Sequence, residues 1–291
     1  MLARIKAVAQ RYRIAIFVVA LTVFLGGVGF AINEAAIDPD KVNPWIFLAL
    51  LLGPTPMNIA LNALLLRYAA DALGQTLRFM PALRITVIAT ASNMLPLPGA
   101  YFVRTYALAP NADAASLKRA ATINLLVIKQ SITLAVLVFA ISVSDLFPLR
   151  YTIPAILTAA VVLALIALMW RRYGFRWRNF AITVAVQVAM ISGEVIRIAL
   201  AFFALGAHIE LRQAAAISIA GIMSSVAAIV PGGVGIRELG AAGIALLIGV
   251  IPELAFAATA LNWIAALLVL AAANSAITWH ATRRKTDKTA L

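Results

Sequence analysis

Six runs of roughly twenty apolar residues set the terms for this chain: 14–32, 45–66, 120–143, 152–170, 180–204 and 254–278. At about 1.5 Å per residue, each can cross about 30 Å of hydrocarbon as a helix, and a helix satisfies its own backbone inside a bilayer. A soluble core has no room for so much apolar sequence. Of the 291 residues 64% are hydrophobic and 12% charged, with mean hydropathy +0.99, against roughly 45–50% and about 25% in soluble domains. Soluble enzymes, secreted scaffolds and disordered tails are excluded on that ground. The first run has no convincing cleavage site and reads as a retained helix, not a signal peptide.

Two further apolar stretches are interrupted near their middles. Residues 84–109 are cut at Leu95-Pro96-Leu97-Pro98-Gly99, and residues 214–250 at Pro231-Gly232-Gly233-Val234-Gly235. Proline removes a backbone donor and glycine frees φ, and broken backbone at membrane depth is tolerated only where protein or a watery cavity satisfies it. Both stretches are therefore read as re-entrant hairpins of two half-helices. They also resemble each other, since Pro98, Gly99 and Arg104 align with Pro231, Gly232 and Arg237. Upstream, Ala72-Leu73-Gly74 falls against Ala204-Leu205-Gly206 with a shift of one residue.

Charge supplies an orientation. The net charge of +13 and pI near 10.9 would suggest nucleic acid in a soluble protein, but in a polytopic one they mark cytoplasmic loops, and no nucleic-acid partner is expected. Arg4, Lys6, Arg11 and Arg13 precede the first run, Arg171, Arg172, Arg176 and Arg178 fill one loop, and Arg283, Arg284, Lys285 and Lys288 form the tail. With these inside, Asp145, His208 and Glu210 fall outside. The two hairpins then enter from opposite faces, which is an inverted-topology repeat of the kind carriers use. The expected fold is an all-α polytopic membrane bundle with about six full transmembrane helices plus two re-entrant hairpins. It forms one membrane domain over 1–291, with repeats at 45–143 and 180–278 and basic cytoplasmic termini at 1–13 and 279–291. The expected location is a bacterial-type cytoplasmic (inner) membrane.

The run Ser225 to Glu238, read as SVAAIVPGGVGIRE, resembles the signature of the lysylphosphatidylglycerol synthase transmembrane region, the flippase-like family of integral membrane proteins. Positions 231–238 match its Pro-Gly-Gly-x-Gly-x-x-Glu motif throughout, and Asn93, Pro96 and Arg104 are similar to its first motif. Two departures stand out. Residues 97–103 carry no charge, and the following span supplies Lys129 where the family often has an acidic residue. The resemblance implies a lipid-handling membrane protein and suggests transfer of a polar lipid between leaflets. The family's bifunctional members add a soluble aminoacyltransferase domain, for which no residues are expected here, so aminoacyl-lipid synthesis is not implied.

Candidate site residues follow from the breaks and from charges at membrane depth. Gly99, Gly232, Gly233 and Gly235 would let a phosphate approach half-helix N-termini, and Asn93 joins them through the motif resemblance. Arg104 and Arg237, about two helical turns beyond the breaks, could grip an anionic headgroup or simply snorkel to an interface. Glu238 either caps its half-helix or takes part in transport. Glu194 and Arg197 share one helix face and could neutralise each other or touch substrate. Lys129 lies deep in a span without a local partner, so Glu194, Glu238 or a lipid phosphate would have to meet it. The amides Asn58, Asn62, Asn124, Gln130, Gln187 and Asn262 read as interhelical hydrogen bonds, Gly221, Gly240 and Gly243 as close packing, and Trp45, Trp170, Trp177 and Trp279 as an interfacial belt.

The chain has no cysteine and only two histidines, far apart, so no metal site and no cofactor are expected. It has no phosphate-binding Gly-x-x-x-x-Gly-Lys-Ser/Thr loop either. Three functions remain open. The first is a flippase or scramblase for a polar lipid, with an anionic headgroup favoured by the excess of buried cations. The second is a noncatalytic partner of a separately encoded lipid synthase or glycosyltransferase, and the third a membrane-embedded lipid-modifying enzyme.

Overall fold

A computed structural model describes residues 39–92, 99–109, 113–147, 149–226 and 235–289, together with 22, 25–27, 29–31, 33, 34, 37 and 111. Among these there is no strand. Ten helices follow a short 3-10 turn at Pro39–Lys41: α1 Pro44–Leu52, α2 Pro54–Ala72, α3 Phe79–Ser92, α4 Gly99–Ala107, α5 Ala114–Ser142, α6 Leu149–Arg172, α7 Trp177–Ala204, α8 Leu211–Val226, α9 Ile236–Leu247 and α10 Pro252–Thr289. Their ends are written locally. Asn43 caps α1 by accepting from the Trp45 and Ile46 amides, with Pro44 set in the first turn where no donor is needed. Asp113 caps α5 in the same way through the Ser116 amide, at 2.7 Å. The repeated Ala-Leu-Gly tripeptides close α2 and α7 identically: Gly74 and Gly206 take φ of +78° and +75°, and Gln75 and Ala207 donate back to the carbonyls of Ala70 and Phe202.

Five stretches are long and apolar enough to cross a membrane: Pro44–Ala72, Ala114–Ser142, Leu149–Arg172, Trp177–Ala204 and Pro252–Ile277. They correspond to five of the six expected runs, while the run at 14–32 lies largely outside the described residues. The 45–66 run differs from a plain span. It is two helices, because Pro54 has no N–H to continue the ladder beyond Gly53. The 254–278 run extends on into the basic tail as helix to Thr289.

Both interrupted stretches form pairs of short helices. With 14, 9, 16 and 12 residues in α3, α4, α8 and α9, they measure only about 14–24 Å. The first pair starts earlier than the expected 84, at Phe79. It leaves where it entered, since Gln75 before α3 donates to the Leu108 carbonyl after α4 at 2.6 Å. At the turn, Gly99 lies against the Ser92 backbone, where a Cβ would collide with the Ser92 carbonyl. The second pair likewise begins and ends at one place, with Arg212 and Gln213 lining the same small cleft as Ile248. The two entrances lie at opposite ends of the bundle. The first adjoins Arg119 and Gly174, the second Asp145 through its 2.6 Å ion pair with Arg212, and the α5 helix of 29 residues separates Arg119 from Asp145.

Packing repeats between halves. Helix α2 packs on α7; α3 pairs with α2, α4 and α10 just as α8 pairs with α7, α9 and α5; α4 meets α5 as α9 meets α10. Each end has its own apolar core. One gathers Leu65, Leu66, Ile123, Leu126, Trp170 and Phe180; the other gathers Leu50, Ile198, Phe202, Ile217, Ala241 and Ala258. Small residues let the helices close up, as where Gly193 of α7 faces Met57 and Asn58 of α2 and Gly240 faces Ala220. Gly243 does not belong with them, because no atom of the described residues lies within 4 Å of its Cβ position. The outward stripe Ile153, Leu157, Val161, Leu165 and Leu168 of α6 is exposed, a face that only lipid solvates cheaply. Trp170 departs from the expected interfacial belt: it is 1% exposed, packed edge-on against Phe175 and Phe180. Trp45, Trp177 and Trp279 are exposed.

Candidate functional site

Between the two apolar cores lies a polar layer drawn from facing helices. Gln130 of α5 accepts from Thr183 of α7 at 3.2 Å, and Gln187 donates to the Val127 carbonyl at 2.9 Å. Asn58 of α2 donates to the Met190 carbonyl at 3.3 Å. Asn124 of α5 donates to the Tyr101 carbonyl and to Thr105 of α4. The amides thus join helices, as their spacing suggests. The layer keeps unused hydrogen-bonding capacity: Gln130 Nε2, Gln187 Oε1, Asn262 Oδ1 and Arg104 Nε are buried without a partner among the described residues.

The second half carries its own charge compensation. Arg197 Nη1 and Glu194 Oε2 form an ion pair at 2.6 Å one helical turn apart on α7, with side chains 9% and 15% exposed. Asn262 of α10 donates to Glu194 Oε1 at 2.9 Å, and its carbonyl accepts from Arg197 Nη2 at 3.2 Å. Gly221 of α8 opens room beside this pair: its Cβ position would lie 3.6 Å from Glu194 Oε1 and 3.8 Å from Arg237 Cδ. Arg237 is close enough to Glu238, Glu194 and Arg197 to feel their charges. Four helices therefore meet at two carboxylates and two guanidinium groups.

Glu238 is fully buried, and its role is visible. Oε2 accepts from the Gly235 amide at 2.7 Å, the carboxylate half of a capping box at the start of α9, while Gly235 has no side chain to supply the other half. Oε1 has no hydrogen-bond partner among the described residues. Gly235, at φ +83°, thus has its N–H engaged by Glu238 and not turned to a ligand. Asn93, Gly232 and Gly233 lie outside the described residues. Gly99 begins α4 with its backbone pressed on Ser92.

Arg104 stands differently. It donates through Nη2 to the neutral Asn62 of α2 at 2.7 Å, and no carboxylate pairs with it among the described residues. A half-buried guanidinium whose partner among the described residues is an amide keeps its full charge to offer an anion. Lys129 lies apart from both of the carboxylates offered for it. Its backbone lies mid-span on α5, yet the side chain is exposed, on the stripe with Lys118, Leu125 and Val136, and meets neither Glu194 nor Glu238. The physical reason is helical phase: Gln130 and Val127 take the inward face. Sequence reasoning missed the link from Asn262 to Glu194 and from Asn62 to Arg104. Both amides had been noted as polar positions, but their partners lie 68 and 42 residues away.

Five long apolar helices, two packed pairs of short helices and a polar layer between apolar cores define a multi-pass helical membrane protein. Residues 169–273 match the family described as the Lysylphosphatidylglycerol synthase TM region. The matched segment contains the 231–238 motif, Glu194, Arg197 and Asn262, and it relates the protein to lipid handling. No curated protein and no solved structure matches the chain.

Proposed function

We propose that the protein moves a polar, anionic lipid between the leaflets of a bacterial-type cytoplasmic membrane, as a flippase or scramblase with both termini cytoplasmic. Arg104 carries this reading: a half-buried guanidinium whose described partner is the amide of Asn62 has charge left for a phosphate. The helix pairs entering from opposite ends, with matched packing around α2 and α7, are the arrangement that lets one half rock against the other around a central site. The headgroup passes along the polar layer while acyl chains stay in lipid. With no nucleotide-binding loop in the sequence, transfer runs down a gradient or passively.

The test is leaflet transfer by purified protein in liposomes, read as dithionite quenching of NBD-labelled phosphatidylglycerol against NBD-labelled phosphatidylcholine. Wild type should accelerate the anionic probe, and Arg104→Gln should slow it at least tenfold with unchanged unfolding. Equal rates in wild type, Arg104→Gln and empty vesicles would refute the carrier. The second reading, a noncatalytic partner of a lipid synthase or glycosyltransferase, is favoured by Lys129, an exposed cation mid-span that a carboxylate on a neighbouring helix would neutralise. Loss of function in cells on Lys129→Leu, without any change in liposome transfer, would support it.

A further inference from the structure

A cleft of about 420 Å³ opens at the arginine-rich end of the bundle, between the α2–α3 turn, the first turns of α5 and the α6–α7 loop. Its volume falls within the roughly 300–1,000 Å³ of small-molecule sites. Asp71 to Thr76 form one wall, Arg119 another, and Gly174, Arg176 and Asn179 the third. Loops about 50 and 100 residues apart in sequence thus bring two arginines and one aspartate to the lining of one cleft. None of these three charged side chains makes an ion pair or side-chain hydrogen bond among the described residues.

We propose that this cleft binds a phosphate ester carrying free hydroxyl groups, with the phosphate on Arg119 and Arg176 and a hydroxyl on Asp71. Two planar forks suit a tetrahedral dianion, whereas one would suffice for a carboxylate. An ionised aspartate accepts only, and it repels a bare phosphate, so the ligand has to bring donors as well as negative charge. The shared chemistry fits a soluble phosphopolyol or the hydroxylated headgroup of a phospholipid. The site is distinct from the layer around Arg104 and does not depend on the transport reading.

The experiment uses the full chain in nanodiscs, with calorimetric titration of glycerol 3-phosphate, inorganic phosphate and glycerol. A second arm titrates dihexanoyl-phosphatidylglycerol against dihexanoyl-phosphatidylcholine below their critical micelle concentrations. Wild type should bind at least one hydroxylated phosphate at least tenfold more tightly than inorganic phosphate or the choline lipid, and the arm that responds identifies the source. Arg119→Gln/Arg176→Gln should lower that affinity at least tenfold. Arg178→Gln, an exposed arginine outside the cleft, should leave it unchanged. Asp71→Asn should erase the preference for hydroxyls and spare inorganic phosphate binding. Absence of binding by every probe, or equal binding by the double variant at an unchanged unfolding midpoint, overturns the proposal. Equal affinity for phosphate and glycerol phosphate overturns its hydroxyl half.

Discussion

Replacing Glu194 by Gln tests whether the α7 ion pair behaves as a buried pair or as an ordinary helix-surface one. An exposed pair three residues apart contributes about 0.2–0.5 kcal/mol. Removing one partner of a buried pair costs about 3–5 kcal/mol, because the other charge stays desolvated. Here Arg197 and Glu194 are 9% and 15% exposed at 2.6 Å, and Arg237 also lies within range of the same carboxylate. Glutamine keeps the shape and still accepts from Asn262, so the low end applies. About 3 kcal/mol is expected, a shift of about two orders of magnitude in the unfolding equilibrium. The assay is reversible unfolding in mixed micelles titrated with SDS and followed by far-UV circular dichroism. The double variant Glu194→Gln/Arg197→Met should recover more than half the loss, since no cation is then stranded at position 197. A Glu194→Gln cost below about 0.5 kcal/mol would refute the reasoning and make the pair equivalent to a surface contact.

Gly99→Ala should lower the unfolding midpoint sharply, because its Cβ meets the Ser92 backbone carbonyl, whereas Gly243→Ala, with open space at its Cβ, should be neutral or gain up to about 1 kcal/mol of helix propensity; the same SDS titration compares them. Gly235→Ala places a Cβ at φ +83° and should cost about 1–2 kcal/mol, read as faster amide exchange in the first turn of α9. The Asp113 carboxyl titrates below the ordinary aspartate range because the Ser116 amide donates to it. Its cap is therefore complete above the unfolded-state value near 4 and is lost as pH falls through the lower folded value. Exchange protection at Ser116 should fall over that acidic window and be insensitive to pH above it. Single cysteines at Asn111 and His208 on this cysteine-free chain should label from the cytoplasmic and external faces respectively, with membrane-impermeant maleimide in intact cells and inverted vesicles as the readout.

What the sequence made legible was what depends on composition and short-range spacing. Apolar runs located five long apolar stretches, two of them within three residues at each end, while α10 runs on to Thr289 because its helix continues past the apolar residues into the basic tail. Glu194 and Arg197 met as their three-residue spacing required. The kink at Gly53-Pro54 was missed because the apolar run continues through it, and hydropathy is blind to a missing N–H. Trp170 was misread because an aromatic near a span end suits an interface in general, and only Phe175 and Phe180 folding back over it make that position core. Lys129 shows the same limit from the other side: depth along a helix is readable, but which face it occupies depends on where α4, α8 and α7 pack.

The two halves share their packing partners but not their charge balance, and under the carrier proposal that difference puts the headgroup at the half whose arginine has no carboxylate among the described residues. In the second half the motif arginine, Arg237, lies among Glu194, Arg197 and Glu238, while Asn262 fixes the carboxylate it shares with Arg197. Such a cluster is expensive to open, which suits an element that anchors α7, α8, α9 and α10 to one another. In the first half the corresponding arginine, Arg104, meets Asn62, and α4 packs on α5 less extensively than α9 on α10. A charge that is desolvated but unneutralised on a lightly packed helix is where an anion gains most on arrival and where a helix can shift at least cost. If Asn62→Asp were introduced, Arg104 would acquire a carboxylate 2.7 Å from its Nη2 in place of the amide oxygen. The carrier reading then requires tighter folding together with loss of anionic lipid transfer. Gain in stability with transfer intact would show that Arg104 supports the fold and does not handle the headgroup.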